Sequence, residues 1–145
     1  MDLTTYFLLT LKLARKAALK GEVPVGAAVV KNGIVIATGF NQVELKGSQL
    51  YHAEVIAIRA ACRKVKNWRL NGCNLFVTLE PCLMCAALIE ISRIDKVYFL
   101  LSEPRFGFAT AHQLKVTFEY DQFKTDLGYR NILKDFFKTI RLKNK

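Results

Sequence analysis

The stretch NLFVTLEPCLMCAALIEIS, residues 74–92, decides how the chain is read. Asn74 to Leu79 is nearly all apolar, the pattern of a short strand in a sheet covered on both faces. Pro81 then stands where a helix begins, a position at which its missing N–H costs little. From Cys82 to Ser92 the residues are apolar almost all round, which reads as a buried helix. A buried strand followed by a buried helix is the unit of an α/β domain. Cys82 and Cys85 are three apart at the front of that helix, so their sulfurs share one face. The positive end of the helix dipole lies there and favours thiolate, the form that binds zinc.

The same alternation continues outward. Toward the N-terminus, YHAEVIAIRA (51–60) opens a helix of about Ala53 to Lys64. Before it, VPVGAAVV and IVIATGFN flank a KNG turn, with Asn32–Gly33 as the hairpin signal. A polar loop, Gln42 to Gln49, joins hairpin to helix. A helix from about Leu3 to Lys20 is stopped by Gly21 and Pro24. Toward the C-terminus, DKVYFLL (Asp95 to Leu101) is another covered strand, EPRFGFATAHQ is loop, and KVTFEYDQF is a candidate fifth strand. A last helix spans about Asp126 to Arg141. Ile132, Leu133, Phe136, Phe137 and Ile140 form one face of it, and Arg130, Lys134, Lys138, Arg141 and Lys145 the other. This order gives a mixed sheet between helix layers, in a single domain spanning residues 1–145.

A hydrophobic fraction of 52% and a charged fraction of 23% exclude a disordered chain. No uncharged apolar run approaches the ~18 residues of a membrane span. MDLTTYFLLTLKLARK has an acid at position 2 and lysines within its apolar run, so it reads as an amphipathic helix rather than a signal peptide. A cytoplasmic protein is expected. The four cysteines, in a chain with no secretory signal, argue for metal or redox chemistry over a disulfide framework. A net charge of +10 is compatible with a polyanionic partner and equally with a solubilising lysine-rich surface.

Cys-x-x-Cys alone is shared with thioredoxin-like redox pairs. His52 alone reads as a helix cap or a satisfied core histidine. Together, His52-x-Glu54 and Cys82-x-x-Cys85 make a stronger pattern. Two thiolates and one imidazole are three zinc ligands and leave one position open, the arrangement of a catalytic site. Cys62 lies about 15 Å further along the helix that His52 opens and cannot reach the same ion. Cys73 is separated from Cys82 by the length of a strand, and nothing around His112 suggests a ligand. Glu54, two residues from a ligand, is placed to act as general acid and base beside the metal, which brings the pKa of a bound water to about 7.

These words resemble the zinc-dependent cytidine deaminase superfamily, whose signature is H-x-E with P-C-x-x-C. Within it the chain is similar to the bacterial tRNA-specific (wobble) adenosine deaminases. The matching words are GEVPVGAAVV (21–30), HAEVIAIRAA (52–61), NWRLNGCNLFVTLEPCLMCAALIEISRIDKVYF (67–99) and DFFKTIR (135–141). The resemblance implies a three-layer α/β/α fold with a five-stranded mixed sheet, a homodimer, and adenosine in a tRNA anticodon loop as substrate. It implies one Zn2+ per chain, held by His52, Cys82 and Cys85, with Glu54 as proton shuttle. It also implies that Asn41 contacts the base and that Val25 lines the base pocket. Glu103 takes the place of the family's aspartate after the fourth strand, which makes it a substrate-binding candidate. Phe106, Phe108 and His112 replace small or polar residues of the family's loop. The basic face of the last helix, at Lys138 and Arg141, is a candidate for RNA phosphate contacts or is simply a solvated face.

Two other readings share these residues. A deaminase of a free base or nucleoside, of guanine or cytosine type, would carry the same zinc site. A zinc-stabilised binding module would have no need of Glu54.

Overall fold

The computed structural model describes residues 2–144. Lys145, assigned above to the basic face of the last helix, lies outside the described residues. The chain runs α1 (Thr4–Leu19), β1 (Gly26–Lys31), β2 (Ile34–Phe40), α2 (Val43–Lys46), a 3-10 turn (Gln49–Tyr51), α3 (Ala53–Val65), β3 (Cys73–Leu79), α4 (Leu83–Ile91), β4 (Lys96–Leu101), β5 (Glu119–Gln122) and α5 (Tyr129–Lys143). The strands form one sheet in the order β2-β1-β3-β4-β5. β1 pairs antiparallel with β2 and β3, whereas β3–β4 and β4–β5 are parallel, so the sheet is mixed. Asn32 and Gly33 both have positive φ, 51° and 78°, as a two-residue hairpin turn requires.

Helices cover both faces, giving the three layers expected. Period-two alternation along the central strand sorts its side chains between them. Leu75 and Val77 face α3 and α4, packing with Ala57, Ile58, Ala86 and Ile89. Phe76 faces α1 and α5, packing with Phe7, Leu11 and Tyr129. Its ring lies 4.8 Å from Tyr6, 5.4 Å from Phe7 and 4.9 Å from Tyr98. Such aromatic pairs are worth about 0.5–1.5 kcal/mol each beyond the area they bury.

Four local readings change. The polar loop 42–49 contains α2, and the turn that follows it reaches Tyr51. α4 is not buried all round: Cys85, Ala86 and Ile89 face the core, while Ile91 is 61% exposed. Its outer surface looks away from the sheet, which a uniformly apolar sequence cannot reveal. KVTFEYDQF forms only the four-residue β5, exposed along its length at the sheet edge and tied by an ion pair of 2.8 Å from Lys96 to Asp121. Charged side chains suit a short edge strand, since they discourage further pairing. α5 begins at Tyr129 rather than Asp126 because Gly128 adopts a left-handed φ of 86°, which helical backbone cannot include.

Candidate metal centre and active site

Two helix N-termini meet to make the site. His52 is the residue that caps α3, and Cys82 is the one that caps α4. Gly39 in β2 lets α3 come this close. A Cβ there would lie 2.5 Å from the Ala53 carbonyl oxygen and 2.8 Å from the Ala57 nitrogen. His52 Nδ1 stands 3.7 Å from Cys82 Sγ and 3.5 Å from Cys85 Sγ. In a tetrahedral site with Zn–S of about 2.3 Å and Zn–N of about 2.0 Å, nitrogen and sulfur are about 3.5 Å apart. The donor set therefore fits zinc in both chemistry and spacing. All three ligand atoms lie within 4.8 Å of one another, and Cys62, Cys73 and His112 stand outside this cluster.

The other ring nitrogen of His52 is 2.8 Å from Gln49 Oε1. An amide oxygen only accepts, so Nε2 carries the hydrogen and Nδ1 is left to bind a metal. Gln49 was not singled out in the sequence, although a polar residue three positions before a ligand is a recognisable signal. A hydrogen bond from Cys85 and, after it, the His52 contact pull Cys82 down to about 4, so it is a thiolate at neutral pH. Cys85 is pushed well above the ordinary thiol value by donating to Cys82 and by burial. The hydrogen bond between His52 and Cys82 raises the imidazole above its usual value. Burial pushes Glu54, 4% exposed, up to about 6. That is the range in which a carboxyl can both take and give a proton near neutrality.

His52, Glu54 and Cys82 open onto a cavity of about 1080 Å³ that is also lined by Val25, Asn41 and Glu103. Asn41 donates through Nδ2 to the Val23 carbonyl at 3.3 Å, and its buried Oδ1 has no partner among the described residues. An orphaned acceptor in a buried wall suits a ligand that brings a donor. Glu103 is tied locally, its carboxylate accepting from the Arg105 N–H at 2.8 Å. Lys138 and Arg141 do not line the cavity, but Phe136, Phe137 and Ile140 of the same helix do. The apolar face of α5 thus serves as a wall of the site, and its basic residues are exposed.

Two buried glutamates escaped the sequence reading. Glu80, 3% exposed, accepts from the Glu103 N–H (3.0 Å) and the Thr110 hydroxyl (2.6 Å) through Oε1. Its Oε2 accepts from the N–H groups of Ala109 and Thr110, both at 2.9 Å. Gly107 sits against this carboxylate so closely that a Cβ would overlap Glu80 Cδ. Glu22, fully buried, accepts from the Glu44 N–H at 2.9 Å and the Leu45 N–H at 2.6 Å, and so caps α2 beside the cavity. The available signal was an acid inside an otherwise apolar stretch.

Residues 1–101 match the family described as the cytidine and deoxycytidylate deaminase zinc-binding region. A tRNA-specific adenosine deaminase of Aquifex aeolicus is 47% identical over 103 residues, which is 70% of this chain and 68% of that protein. One from Rickettsia bellii is 37% identical over 140 residues, 90% of this chain and 97% of the relative.

The chain belongs to the tRNA-specific adenosine deaminase family.

A solved structure from work on A-to-I editing by tRNA:A34 deaminases superposes with a TM-score of 0.79 at 34% identity, covering 85% of this chain and 100% of that one. As a tRNA-specific adenosine deaminase family member the chain is a zinc-dependent hydrolase and takes one Zn2+. No helix among the described residues is long and apolar enough to cross a membrane.

Proposed function

We propose that residues 1–145 work as one deaminase domain that converts adenosine to inosine at the wobble position of a tRNA anticodon loop. The observation that carries the deamination is the cluster His52, Cys82 and Cys85, its ligand atoms within 4.8 Å of one another, with the buried carboxyl of Glu54 beside it, and the similarity to tRNA-specific adenosine deaminases supports the tRNA substrate. In this reading His52 Nδ1 and the two thiolates hold the zinc. When bound, the metal supplies a Lewis acid that lets water lose a proton near neutral pH. Glu54 receives that proton and delivers it to N1 of the adenine ring as the water oxygen bonds to C6, then takes the second proton from the new C6 hydroxyl and passes it to the exocyclic amine. The C6–N bond breaks, ammonia leaves, and the oxygen from water remains on C6. Asn41 offers Oδ1 to the base, Val25 packs against it, and Glu103 meets the nucleotide at the rim. Gln49 fixes the His52 ring throughout. An anticodon loop suits this site because its bases are unstacked at little cost.

Lys138 and Arg141 contact phosphates in this reading, since they sit on the helix whose other face walls the cavity. The protein acts in the cytoplasm, where tRNA is used, and as a homodimer. A groove of about 630 Å³ between α3 and α4, lined by Trp68, Leu88 and Ile91, supports a second copy as its occupant. Light scattering on the eluted protein tests this, and a monomeric mass at working concentration would refute it.

The decisive experiment incubates zinc-loaded protein with an anticodon stem-loop bearing wobble adenosine, beside free adenosine, cytidine and guanine. Inosine is expected from the stem-loop. Turnover of a free base or nucleoside with none of the stem-loop would overturn the assignment.

A further inference from the structure

Phe106 is a large apolar side chain left 60% exposed, on a loop that is otherwise firmly fixed. Just before it, the Glu103 N–H is bound by Glu80. Just after it, Gly107 bridges to Cys82. The fully buried ring of Phe108 lies 5.5 Å from Phe118 and 4.9 Å from Tyr120. With both flanks anchored, Phe106 is held out into solvent rather than left there by a floppy segment. It lines the same cavity as His52 and Glu54. The Arg105 guanidinium stands 5.7 Å from its ring centroid.

Cavities that enclose one small ligand run to about 300–1,000 Å³. At about 1080 Å³, open to the loop, this one has room for more than a single nucleobase. An aromatic ring beside a cation, at the rim of a site for single-stranded nucleic acid, is the pairing that takes a base on the ring and a phosphate on the charge. We propose that Phe106 is a stacking platform for the base of a nucleotide adjoining the target adenosine, with Arg105 on the neighbouring phosphate. The occupant is a base of the RNA, because a guanidinium beside the ring complements a polyanion. This rests on the nucleic-acid substrate proposed above and adds a determinant of which flanking bases the chain accepts.

The test measures binding, so it does not depend on turnover. Stem-loop affinity is read by fluorescence anisotropy with the zinc-loaded Glu54→Ala protein, alone and combined with Phe106→Ala or Phe106→Tyr. Stacking of one base on an aromatic ring predicts a loss of about 5- to 100-fold for Phe106→Ala, with Phe106→Tyr close to the parent. A stem-loop made abasic at the stacked position should lose the same factor with the parent, and Phe106→Ala should then cost nothing more. An affinity unchanged within twofold overturns the platform. So does a Phe106→Ala penalty that persists both on the stem-loop abasic at the 5′ neighbour and on the one abasic at the 3′ neighbour. If Phe106 instead packs against a second copy of the chain, Phe106→Ala yields monomer with stem-loop affinity unchanged, which also overturns it. Failure of the deamination assay with the unsubstituted protein would strike the proposed activity and leave this measurement interpretable.

Discussion

Glu80→Gln should loosen the 103–110 loop while leaving the metal site intact. The carboxylate accepts four hydrogen bonds, two on each oxygen. Glutamine keeps one oxygen. Its best orientation points that oxygen at the Ala109 and Thr110 N–H groups and turns the amide NH2 toward Glu103 and the Thr110 hydroxyl. The hydroxyl can rotate and accept, but the Glu103 N–H cannot, and it is left facing another donor. A hydrogen bond to a charged group is worth about 1.5–3 kcal/mol, and the two retained bonds weaken as their acceptor becomes neutral. A local loss of about 2–4 kcal/mol follows. Because 1.4 kcal/mol is a factor of ten, KM for the stem-loop should rise about tenfold or more.

Zinc content should stay near one per chain, since His52, Cys82 and Cys85 are carried by the N-terminal turns of α3 and α4. Amide exchange at Ala109 and Thr110 should accelerate, whereas exchange in β3 should not. Three measurements therefore bear on one substitution. A KM within twofold of the parent, with exchange at 109 and 110 unchanged, would show that the loop does not hang on Glu80. Loss of zinc would show that Glu80 serves the metal instead.

Glu54→Ala should retain about one zinc per chain and lose at least the 10²- to 10⁴-fold that general acid–base catalysis contributes; near-normal deamination would remove its assigned role. Reversing charge at Lys138 and Arg141 should weaken stem-loop binding and lower the slope of log K against log salt by about one for each phosphate no longer neutralised, whereas an unchanged slope takes both residues out of the interface. Tyr129→Phe removes the 2.6 Å bond to the Pro24 carbonyl and should cost about 1–3 kcal/mol in chemical denaturation. Burial holds the Tyr129 hydroxyl above its ordinary value of 10.0, so its contribution to stability is full below that pH and is lost as pH rises toward the folded value. The parent should lose stability from about pH 10 upward more steeply than Tyr129→Phe, and parallel alkaline profiles would refute this.

Legibility in the sequence followed distance along the chain. The hairpin announced itself at Asn32–Gly33, and the strand–helix unit at residues 74–92 gave the sheet its middle. The metal site was visible because each half lies within one helical turn, so two short words carry its ligands. The polar partners that complete it are held by tertiary contacts. Glu80 binds groups 23 to 30 residues away, and Glu22 binds groups 22 and 23 away. Spacing rules for helices and strands do not extend that far. α5 was read correctly as amphipathic, yet its apolar face proved to be partly a cavity wall. A moment along a helix says which side is apolar, and it does not say whether that side meets a core or a substrate.

Glu54 and Glu80 make the same point within a single site. Both are glutamates next to a motif word, and both are almost wholly buried. Glu80 is surrounded by four donors and is thereby committed to holding a loop. Glu54 lacks any comparable set: burial raises its carboxyl to about 6, and the groups nearest in its electrostatics are His52, Cys82 and Cys85. Burial without such a set of donors disfavours the charged form, which is what raises Glu54. The two roles could not be exchanged by moving charges on the surface, because each is set by the donors that the fold brings to the carboxylate. Residue type and burial alone therefore do not separate the two glutamates; their partners do, and those are set by how α3, α4 and the 103–110 loop close on one another.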